Sequence, residues 1–459
     1  MSYLNNLFNR QIMNLQKMVG AYTGILSNPI IYKTGTSSGS SLNIVNGNLP
    51  QYTKITVNPK SRINYHLSGY GFNFKESLAK FEGEALERYA TVIAHEYKKD
   101  DILISSYSKL IKQKKHVVDL SLINLFDNKQ LQTLHKYAGF RDTPLKKGDI
   151  ISWTRTNSIF DPNCKIFIPT SMFFIGFQEK NNFFTAFSTG TASHESFNAA
   201  FLNAIIEYIQ IDAFITSWYS NDSLQMIDYD SFPEQTKIKI NYLLGKNRNK
   251  YNIYFIDFSK YSVDLIPVIG TFLVAKDNLT VPAISFGLQG GMEINRVIIR
   301  SLSESIANLE MSAFNYLTDK TYIDQREDSM ILDVDNNVKF FASPYNMEKN
   351  LNYLNSRFSK KRIRYETLKA ENNLNSTLLD GKSSIEGSLR WLIQSLYKKS
   401  KYACFMDITP PFITPKDMRV VKVFIPELQA MCLPSEPFKK HPRFKGDKNG
   451  SNFYIHPLP

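Results

Sequence analysis

The sequence predicts an α+β protein, because long amphipathic helices occur beside groups of short strands. Apolar residues at helical spacing predict a long helix over about residues 73–97. Three runs rich in β-branched and aromatic residues predict consecutive strands before a further helix: Tyr251–Asp257, Asp264–Ala275 and Pro282–Gly287. A helix around Ser388–Lys398 and strands near 403–408 and 419–425 then close the domain.

The chain is interpreted as one main domain with an N-terminal extension. A helix at 3–19 and a strand near 51–58 open the chain. We predict that residues 1–60 form a segment packing on a main domain of residues 61–459. Within the main domain, residues 98–180 are interpreted as an inserted lobe.

Three further segments complete the secondary-structure prediction. Ile166–Pro169 and Met172–Phe177 are strand-like runs inside the predicted lobe. Residues 318–370 are rich in charged residues and Asn, and we interpret them as a variable excursion between the third long helix and the closing elements.

Composition and charge describe an ordinary globular protein with a basic surface. The chain has 459 residues, of which 43% are hydrophobic and 21% charged, and 55 Lys and Arg against 42 Asp and Glu give a net charge of +13. Such an excess attracts polyanions, including nucleotide phosphates. The basic runs are scattered and no helix-turn-helix or zinc-finger signature accompanies them, so we expect no nucleic-acid partner. A solvated basic surface remains the alternative.

Cysteine usage and the N-terminus indicate a cytoplasmic protein. Cys164, Cys404 and Cys432 are odd in number and widely spaced, which argues against a disulfide framework and a Cys-x-x-Cys zinc site. Residues 1–20 have no continuous apolar signal region. We also find no apolar run of the length needed to span a membrane, and expect no membrane span.

Three helical segments carry carboxylates at related spacing. They are Lys80–Glu84–Glu87, Asn203–Glu207–Gln210 and Arg300–Glu304–Ala307. Positions i, i+4 and i+7 share one helical face, so polar groups recur along otherwise apolar helices. A buried carboxylate requires a cation, a proton or a metal ion, and hard oxygen ligands suit Mg²⁺ arriving with nucleotide phosphates. By spacing alone, a solvated or salt-bridged surface face is the commoner interpretation.

Four motifs in the same order around these stripes resemble the YcaO family. Gly69-Tyr70-Gly71 before Glu84–Tyr89 is similar to the family's Gly-Lys-Gly turn and Ser-x-x-x-Glu-x-x-Glu-Arg helix. Ser188–Ala192 before Glu207–Ala213 resembles its Thr-Ser-Asn-Gly turn and Glu-x-x-Glu-Arg-Asp-Ala helix. Arg300–Glu304 resembles its Arg-Ala-Leu-Thr-Glu helix, and Asp407–Thr409 with Val421–Pro426 resembles its late strand pair.

The resemblance extends patchily from Gly69 to Pro459, with substitutions at nucleotide-site positions. Tyr70 stands where the turn has Lys, and Lys80 replaces the Ser of the following helix. Gln210 and Ile211 replace a Glu-Arg pair, and Ala307 replaces a Gln. These departures leave open a member with weakened ATP binding.

The resemblance implies a YcaO-type fold, with mixed sheets and carboxylate-bearing helices around an ATP site that lacks a P-loop. It also implies the azoline-forming cyclodehydratase component, the D protein, of thiazole/oxazole-modified peptide and bacteriocin biosynthesis. A Cys, Ser or Thr side chain attacks the preceding backbone carbonyl, and ATP then phosphorylates the resulting oxygen so that it leaves as phosphate. The products are thiazoline or oxazoline rings in a ribosomally made precursor peptide.

The same resemblance implies cofactors and site residues. ATP and Mg²⁺ are the cofactors, and the matched positions imply a metal and phosphate set of Glu84, Glu87, Glu207 and Glu304. The remaining cofactor-binding candidates are Arg88, Asn203 and Gln210.

The chain ends in prolines similar to the end of azoline-forming members. His441-Pro442-Arg443-Phe444 and His456-Pro457-Leu458-Pro459 carry this likeness. Because Pro restricts φ, these residues would stiffen the tail and hold the α-carboxylate of Pro459 in the active site as a general base. A frayed tail is the alternative.

The sequence contains no segment resembling a leader-binding module, so we expect a separate partner to present the substrate. The predicted partners are a ThiF-like, leader-binding protein, the precursor peptide, a flavin dehydrogenase in the same complex, and a second copy in a homodimer. Two alternatives stay open: a YcaO-type enzyme forming thioamides or amidines, and a scaffold subunit whose ATP site has decayed.

Overall fold

The computed structural model of the chain describes most of the residues after position 65. The described residues are 18, 25–26, 30–33, 42–50, 66–177, 179, 186–318, 330–371, 384–413, 418–445 and 454–459. The helix predicted at 3–19, except for Met18, and the strand predicted near 51–58 lie outside them.

The strands of the described residues are short. They are β1 Ile30–Lys33, β2 Asn43–Asn48, β3 His66–Gly71, β4 Ile102–Ser106, β5 His116–Val117, β6 Ile150–Ser158, β7 Lys165–Pro169, β8 Thr191–His194, β9 Gln225–Met226, β10 Tyr251–Asp257, β11 Val268–Ala275, β12 Ile284–Gly290, β13 Cys404–Asp407 and β14 Arg419–Phe424.

Among the described residues, three helices are longer than 20 residues. The helices are α1 Phe74–Tyr97, α2 Tyr107–Lys112, α3 Asn128–Ala138, α4 Thr170–Phe173, α5 Phe197–Trp218, α6 Glu234–Leu244, α7 Asn247–Lys250, α8 Ile294–Thr318, α9 Val334–Ala342, α10 Met347–Arg357, α11 Tyr365–Glu371 and α12 Ile385–Tyr397. The long ones are α1, α5 and α8.

The described strands form three sheets. One has the order β1-β2-β3, a second has the order β12-β11-β10-β9, and the third has the order β5-β7-β6-β13-β14-β8 with β4 also paired to β6. Each pairing is antiparallel except that of β5 with β7. Several antiparallel sheets with packed helices confirm the predicted α+β class.

Helix α5 lies between the two larger sheets, in contact with β8 and β14 on one side and β12 on the other. Its apolar residues are buried over most of its length, including Phe214 and Trp218. By length and composition, α5 is apolar enough to cross a membrane, with a mean hydropathy of 1.3 over its best window. This corrects the expectation that no run reaches that length. Since 78% of the window is buried inside the protein, α5 has the features of a core helix.

Two glycines allow α1 and α8 to approach their strands closely. A Cβ atom on Gly69 of β3 would lie 2.0 Å from the Ser77 carbonyl oxygen and 2.4 Å from the Phe81 nitrogen of α1. A Cβ on Gly287 of β12 would lie 2.3 Å from the Ser305 nitrogen and 2.4 Å from the Ser301 carbonyl oxygen of α8. Both helix backbones therefore pack directly on a strand, and any side chain at either glycine would displace the helix.

Several boundaries differ from the predictions. Gly69-Tyr70-Gly71 ends strand β3 and is not a turn, because β2 supplies an antiparallel partner that the sequence did not reveal. Met172–Phe177 was predicted as a strand, but its first residues end the short helix α4. Residues 318–370, interpreted as a variable excursion, contain α9, α10 and most of α11, whose apolar residues such as Phe340 and Leu354 pack into the core; the variability stays a prediction.

The predicted long helix and several strands agree with the structure. Helix α1 covers Phe74–Tyr97, β10 covers Tyr251–Asp257, and β13 and β14 lie inside their predicted ranges. The strand predicted from Asp264 begins only at Val268, after a turn in which Asp264 and Leu265 have positive φ. The division at residue 60 and the inserted lobe stay predictions; β4 to β7 join the sheet that also contains β8, β13 and β14.

Candidate active site

The three long helices each present glutamates beside a strand end. Glu84 and Glu87 lie on α1, Glu207 on α5 and Glu304 on α8. Helix α1 begins with Asn73 accepting the backbone N–H of Glu76, and α5 begins with Ser196 accepting that of Ala199. Both helices pack against β8, while α5 and α8 pack against β12. This arrangement turns the carboxylates of separate sequence segments toward a shared region.

Glu87 and Glu207 form one half of the site, which we call the inner half. The Glu87 Oε1 atom accepts the backbone N–H of Ser193 at 2.7 Å, and Glu207 accepts backbone N–H groups of Gly190 and Thr191. Burial, together with the smaller effect of the Glu207 charge, raises the pKa of Glu87 to about 8. Burial also raises the pKa of Glu207 to about 7. Two such carboxyls disfavour double ionisation unless a cation joins them.

Two cations accompany the inner half. The Lys422 side chain is 1% exposed, and its Nζ donates to the carbonyls of Phe187 and Thr189 at 2.9 and 3.2 Å and to the Thr191 hydroxyl at 3.2 Å. Burial lowers its pKa to about 7, while Glu207 raises it. Arg88 also lowers the pKa of Glu207. Lys422 thus ties β14 to the loop whose N–H groups support Glu207.

Glu84 lies between the inner half and the carboxylate of α8. Its Oε2 accepts the backbone N–H of Ser68 at 2.8 Å, and its Oε1 is 3.4 Å from the Arg88 guanidinium. The charge of Glu84 raises the pKa of Glu87 and also that of Glu304. The four predicted carboxylates therefore form one electrostatically connected group.

Glu304 marks the second half of the site, which we call the outer half. Its Oε2 accepts the Leu288 N–H at 3.1 Å and the Gln289 side-chain amide at 2.9 Å. Burial raises the pKa of Glu304 to about 7, and the charge of Lys80 lowers it. Gln210 joins α5 to the same strand end, because it accepts the Gly290 N–H at 2.6 Å and donates to the Leu288 carbonyl at 3.1 Å.

Lys80, Arg296 and Arg300 surround the outer half with positive charge. Lys80 is paired with Glu76 at 2.9 Å and donates to the Tyr70 carbonyl at 2.8 Å. Burial lowers the pKa of Lys80, and the charges of Arg300 and Arg296 lower it further, against the raising effect of Glu76. The charges of Glu304 and Arg300 also act on Tyr70, whose pKa burial raises. These neighbours place β3, α1 and α8 around one polar region.

The residues of the site fit Mg²⁺ bound together with a nucleotide rather than Mg²⁺ alone. Within the described ranges, no three His, Cys, Asp or Glu side chains are close enough to form a ready-made metal cage. Mg²⁺ usually keeps several waters and binds one or two carboxylates plus substrate phosphates. The four carboxylates could supply such contacts in pairs, and the cations beside them could face the phosphates.

The structure brings together most of the predicted site residues. Glu84, Glu87, Arg88, Glu207, Gln210 and Glu304 are all part of the connected group described above. Asn203 lies one turn before Glu207 on α5 and is exposed. Ala307, the last position of the third stripe, is 6% exposed and belongs to the apolar core. The individual roles of these residues remain predictions.

The tail before Pro459 is packed into the protein. His456 and Leu458 are 0% and 3% exposed, and the Asn337 side-chain amide of α9 donates to their carbonyls at 2.8 and 2.7 Å. Pro459 itself is partly exposed. On the same helix, burial raises the pKa of Asp335 and the charge of Arg88 lowers it, so α9 lies within electrostatic range of α1. The catalytic role of Pro459 stays a prediction.

Sequence reasoning missed three cations of the site as site residues. Lys422 follows a strand pattern and gave no sign of pairing with Glu207, since 215 positions separate them. Arg296 lies four residues before Arg300, the start of the third stripe, and this spacing could have revealed it. Lys80 belongs to the first stripe and is a substituted position, but it was not predicted as a site residue.

Known proteins share the family and the fold of this chain. A family model described as "YcaO cyclodehydratase, ATP-ad Mg2+-binding" matches residues 68–429. The search of curated protein sequences finds no match. Among solved structures, YcaO from Methanopyrus kandleri, bound with AMPPCP and Mg²⁺, is 11% identical with a TM-score of 0.60, and the match covers 100% of this chain and 95% of that one.

Two further solved structures have the same fold. A chain of the E. coli microcin synthetase McbBCD complex is 13% identical, with a TM-score of 0.64 and coverage of 96% of this chain and 98% of that one. A heterocyclase in complex with substrate and cofactor is 14% identical, with a TM-score of 0.71 and coverage of 98% and 57%. The chain thus spans little more than half the length of that heterocyclase.

These matches confirm the predicted YcaO-type fold, and the family description confirms the expectation of an ATP- and Mg²⁺-dependent enzyme class. The family model covers most of the chain and includes all four glutamates of the site. The chain therefore belongs to the YcaO cyclodehydratase family.

Proposed function

We propose that this protein is the ATP-dependent cyclodehydratase subunit that forms thiazoline or oxazoline rings from Cys, Ser or Thr in a ribosomally made precursor peptide. The observation that carries the proposal is the connected group of Glu84, Glu87, Glu207 and Glu304, with buried and flanking cations around it. Phosphorylating an amide oxygen needs charge neutralisation more than covalent assistance. This site is rich in groups of that kind.

The residues would divide the work between the two halves. When bound, Mg-ATP supplies the phosphoryl group that converts the peptide oxygen into a leaving group. Glu87 and Glu207 of the inner half, and Glu84 and Glu304 toward the outer half, would hold Mg²⁺. Gln210 fixes the end of β12 against α5.

The proposal includes a base for ring formation. The incoming thiol or hydroxyl must lose a proton as it attacks the carbonyl, and the α-carboxylate of Pro459 is our proposed acceptor. Support comes from the buried tail, whose carbonyls at His456 and Leu458 are held by Asn337. These hydrogen bonds hold the described end of the chain in place, as the positioning of a catalytic base requires.

Partners and location belong to the same proposal. One solved neighbour is the McbBCD complex with pro-MccB17 bound, a multi-protein assembly with a peptide. We propose that a ThiF-like, leader-binding protein likewise presents the precursor peptide to this chain in the cytoplasm. A flavin dehydrogenase would oxidise the rings later, and a homodimer remains our expected assembly.

An oxygen-labelling experiment tests the proposed reaction. A precursor peptide with ¹⁸O at the reacting amide carbonyl is incubated with the protein, its partner protein and Mg-ATP. If the amide oxygen is phosphorylated and expelled, the peptide loses labelled water in mass and the label appears in inorganic phosphate. Ring formation with the label in bulk water would contradict activation by phosphorylation. A product in which sulfur or a second nitrogen replaces the amide oxygen, with no azoline ring, would favour the thioamide or amidine alternative.

A further inference from the structure

The Lys80 side chain of α1 contacts Tyr70 at the end of β3. Its Nζ reaches back from α1 to donate to the Tyr70 carbonyl at 2.8 Å, and it lies 4.7 Å from the centre of the Tyr70 ring. An ammonium over an aromatic face is attracted by the negative ring face. The ammonium of residue 80 is therefore held at the end of β3, at position 70.

This placement matters because the resemblance puts a lysine at position 70 and a serine at position 80. The chain has the reverse arrangement of charge: an aromatic residue in the strand and a lysine on the helix. The two substitutions are in direct contact, and together they restore a cation at the place where the strand meets α1. They therefore form a compensating pair rather than two separate losses.

Lys80 belongs to a group of three cations that act electrostatically on one another. Arg296 and Arg300 lie one turn apart on α8, and Arg300 is one further turn from Glu304. Glu76 is the carboxylate ion-paired with Lys80, and the Glu293 carboxylate accepts the backbone N–H groups of Asn295 and Arg296.

Lys80 and Arg300 are also partly removed from water, whereas Arg296 is exposed. The Lys80 side chain is 29% exposed, and burial lowers the pKa of Arg300, with the charge of Arg296 adding to this effect. Like charges in such surroundings repel more strongly than in bulk water. A ligand with several negative charges would relieve this repulsion, whereas a neutral ligand would not.

The position of these cations beside Glu304 indicates which anion fits. Lys80 acts electrostatically on Glu304, so the cations lie beside a carboxylate of the proposed Mg²⁺ set. A ligand in contact with both must bring negative charge to the cations and a metal ion to the carboxylates. The phosphates of a nucleoside triphosphate with Mg²⁺ satisfy both conditions.

We propose that Lys80, held over the Tyr70 ring, forms with Arg296 and Arg300 the subsite for the triphosphate, in place of the missing lysine of the strand end. The inference rests on the proposed function, in which ATP is the co-substrate. It implies that the Tyr70 and Lys80 substitutions move the positive charge without abolishing it. The ATP site is then intact at this position.

The test compares nucleotide binding by calorimetry in four proteins: the parent, Lys80→Ser, Lys80→Arg, and the double variant Tyr70→Lys with Lys80→Ser. Loss of one charge-assisted contact weakens Mg-ATP binding by roughly ten- to a hundredfold. Lys80→Ser should show this loss for Mg-ATP and for inorganic tripolyphosphate, but not for adenosine. Lys80→Arg should keep the affinity, and the double variant should recover most of it.

The matched control is Lys99→Ser near the other end of α1, where the lysine is 69% exposed and paired with Glu96. This variant should bind like the parent. Binding to Lys80→Ser should also depend less on salt concentration, which a purely structural defect would not produce. Thermal unfolding of each variant identifies any misfolded protein. If Lys80→Ser is misfolded, Lys80→Arg remains as the variant that changes the side chain and keeps the positive charge.

The outcomes separate this inference from the proposed function. If the parent does not bind Mg-ATP, the proposed function fails. If the parent binds and Lys80→Ser binds equally well with unchanged salt dependence, only the Lys80 inference fails. An equal loss for adenosine and Mg-ATP would also contradict it, because that result would indicate a general distortion of the site.

Discussion

Around Glu87 and Glu207 the positive charge of Lys422 is buried and already bonded to backbone, whereas beside Glu304 the cations Lys80 and Arg300 are partly exposed and repel each other. Lys422 uses three hydrogen bonds within the protein, while Lys80 has Glu76 and the Tyr70 carbonyl beside two repelling arginines. The inner half is thus organised before any ligand arrives. The outer half is arranged so that a polyanion would complete it. The same spacing of carboxylates along the helices therefore occurs in two different electrostatic environments.

The largest expected effect comes from removing one carboxylate from each half. Glu207→Gln and Glu304→Gln should each lower the rate of ring formation by roughly a hundred- to a thousandfold, as loss of a central electrostatic contact does. Mass spectrometry of the peptide measures the rate. The control Glu348→Gln, an exposed residue of α10, should behave like the parent. If only one of the two site variants loses activity, the halves do not serve one reaction.

A smaller loss is expected when the tail is released. Asn337→Ala removes the amide that holds the carbonyls of His456 and Leu458, so the tail gains freedom. Misplacement of a catalytic group by about 1 Å can cost roughly a hundredfold, so we expect ring formation to fall by about ten- to a hundredfold.

Mg-ATP affinity should stay the same in that variant, because neither half of the site is touched. Asn355→Ala, an exposed asparagine on α10, is the control. Normal ring formation in Asn337→Ala, with hydrogen exchange showing a loosened tail, would argue against any role of the terminus in catalysis.

The two lysines should differ in their effect on stability. Lys422→Met leaves buried carbonyls and Glu207 without their cation, and breaking such a buried arrangement costs about 3 kcal/mol of unfolding free energy. Lys80→Ser removes a partly exposed pair and should cost less than about 1 kcal/mol. Urea unfolding measures both. Equal losses would mean that the inner and outer cations do not differ as described.

The smallest expected effect is a proton count. At pH 7 the empty site holds protons on Glu87, whose pKa is about 8, and partly on Glu207 and Glu304, whose pKa values are about 7. Mg²⁺ requires the ionised form, so Mg-ATP binding should release about two protons at pH 7 and almost none at pH 9. Calorimetry in buffers of different ionisation enthalpy measures the release. Equal values at both pH values would contradict the raised pKa values.

The same pKa values set the sign of the stability change with pH. The folded carboxyl of Glu87 binds its proton more tightly than the unfolded one, whose pKa is 4.5. The empty protein should therefore lose stability as pH rises from about 4.5 to about 8. Glu87→Gln removes this contribution and should flatten the curve over that interval.

The sequence predicted the carboxylate helices because their spacing and motifs are local. Helix α1 and the strands β10, β13 and β14 follow from periodicity within a few residues. The two halves could not be predicted, because they depend on pairs distant in sequence. Glu207 comes within electrostatic range of Lys422 only after α5 packs on β14. Lys80 comes within electrostatic range of Arg300 only after α1 and α8 both approach their strands at Gly69 and Gly287.

The central claim is that the inner and outer halves together bind one Mg-ATP molecule. Calorimetric titration of ATP with and without Mg²⁺ into the parent, Glu84→Gln and Glu207→Gln proteins tests this claim. Glu84 lies between the halves and Glu207 belongs to the inner one, so the account predicts magnesium-dependent binding in the parent that both variants abolish. If both variants bind Mg-ATP as the parent does, the glutamates are not its ligands and the site is wrongly assigned.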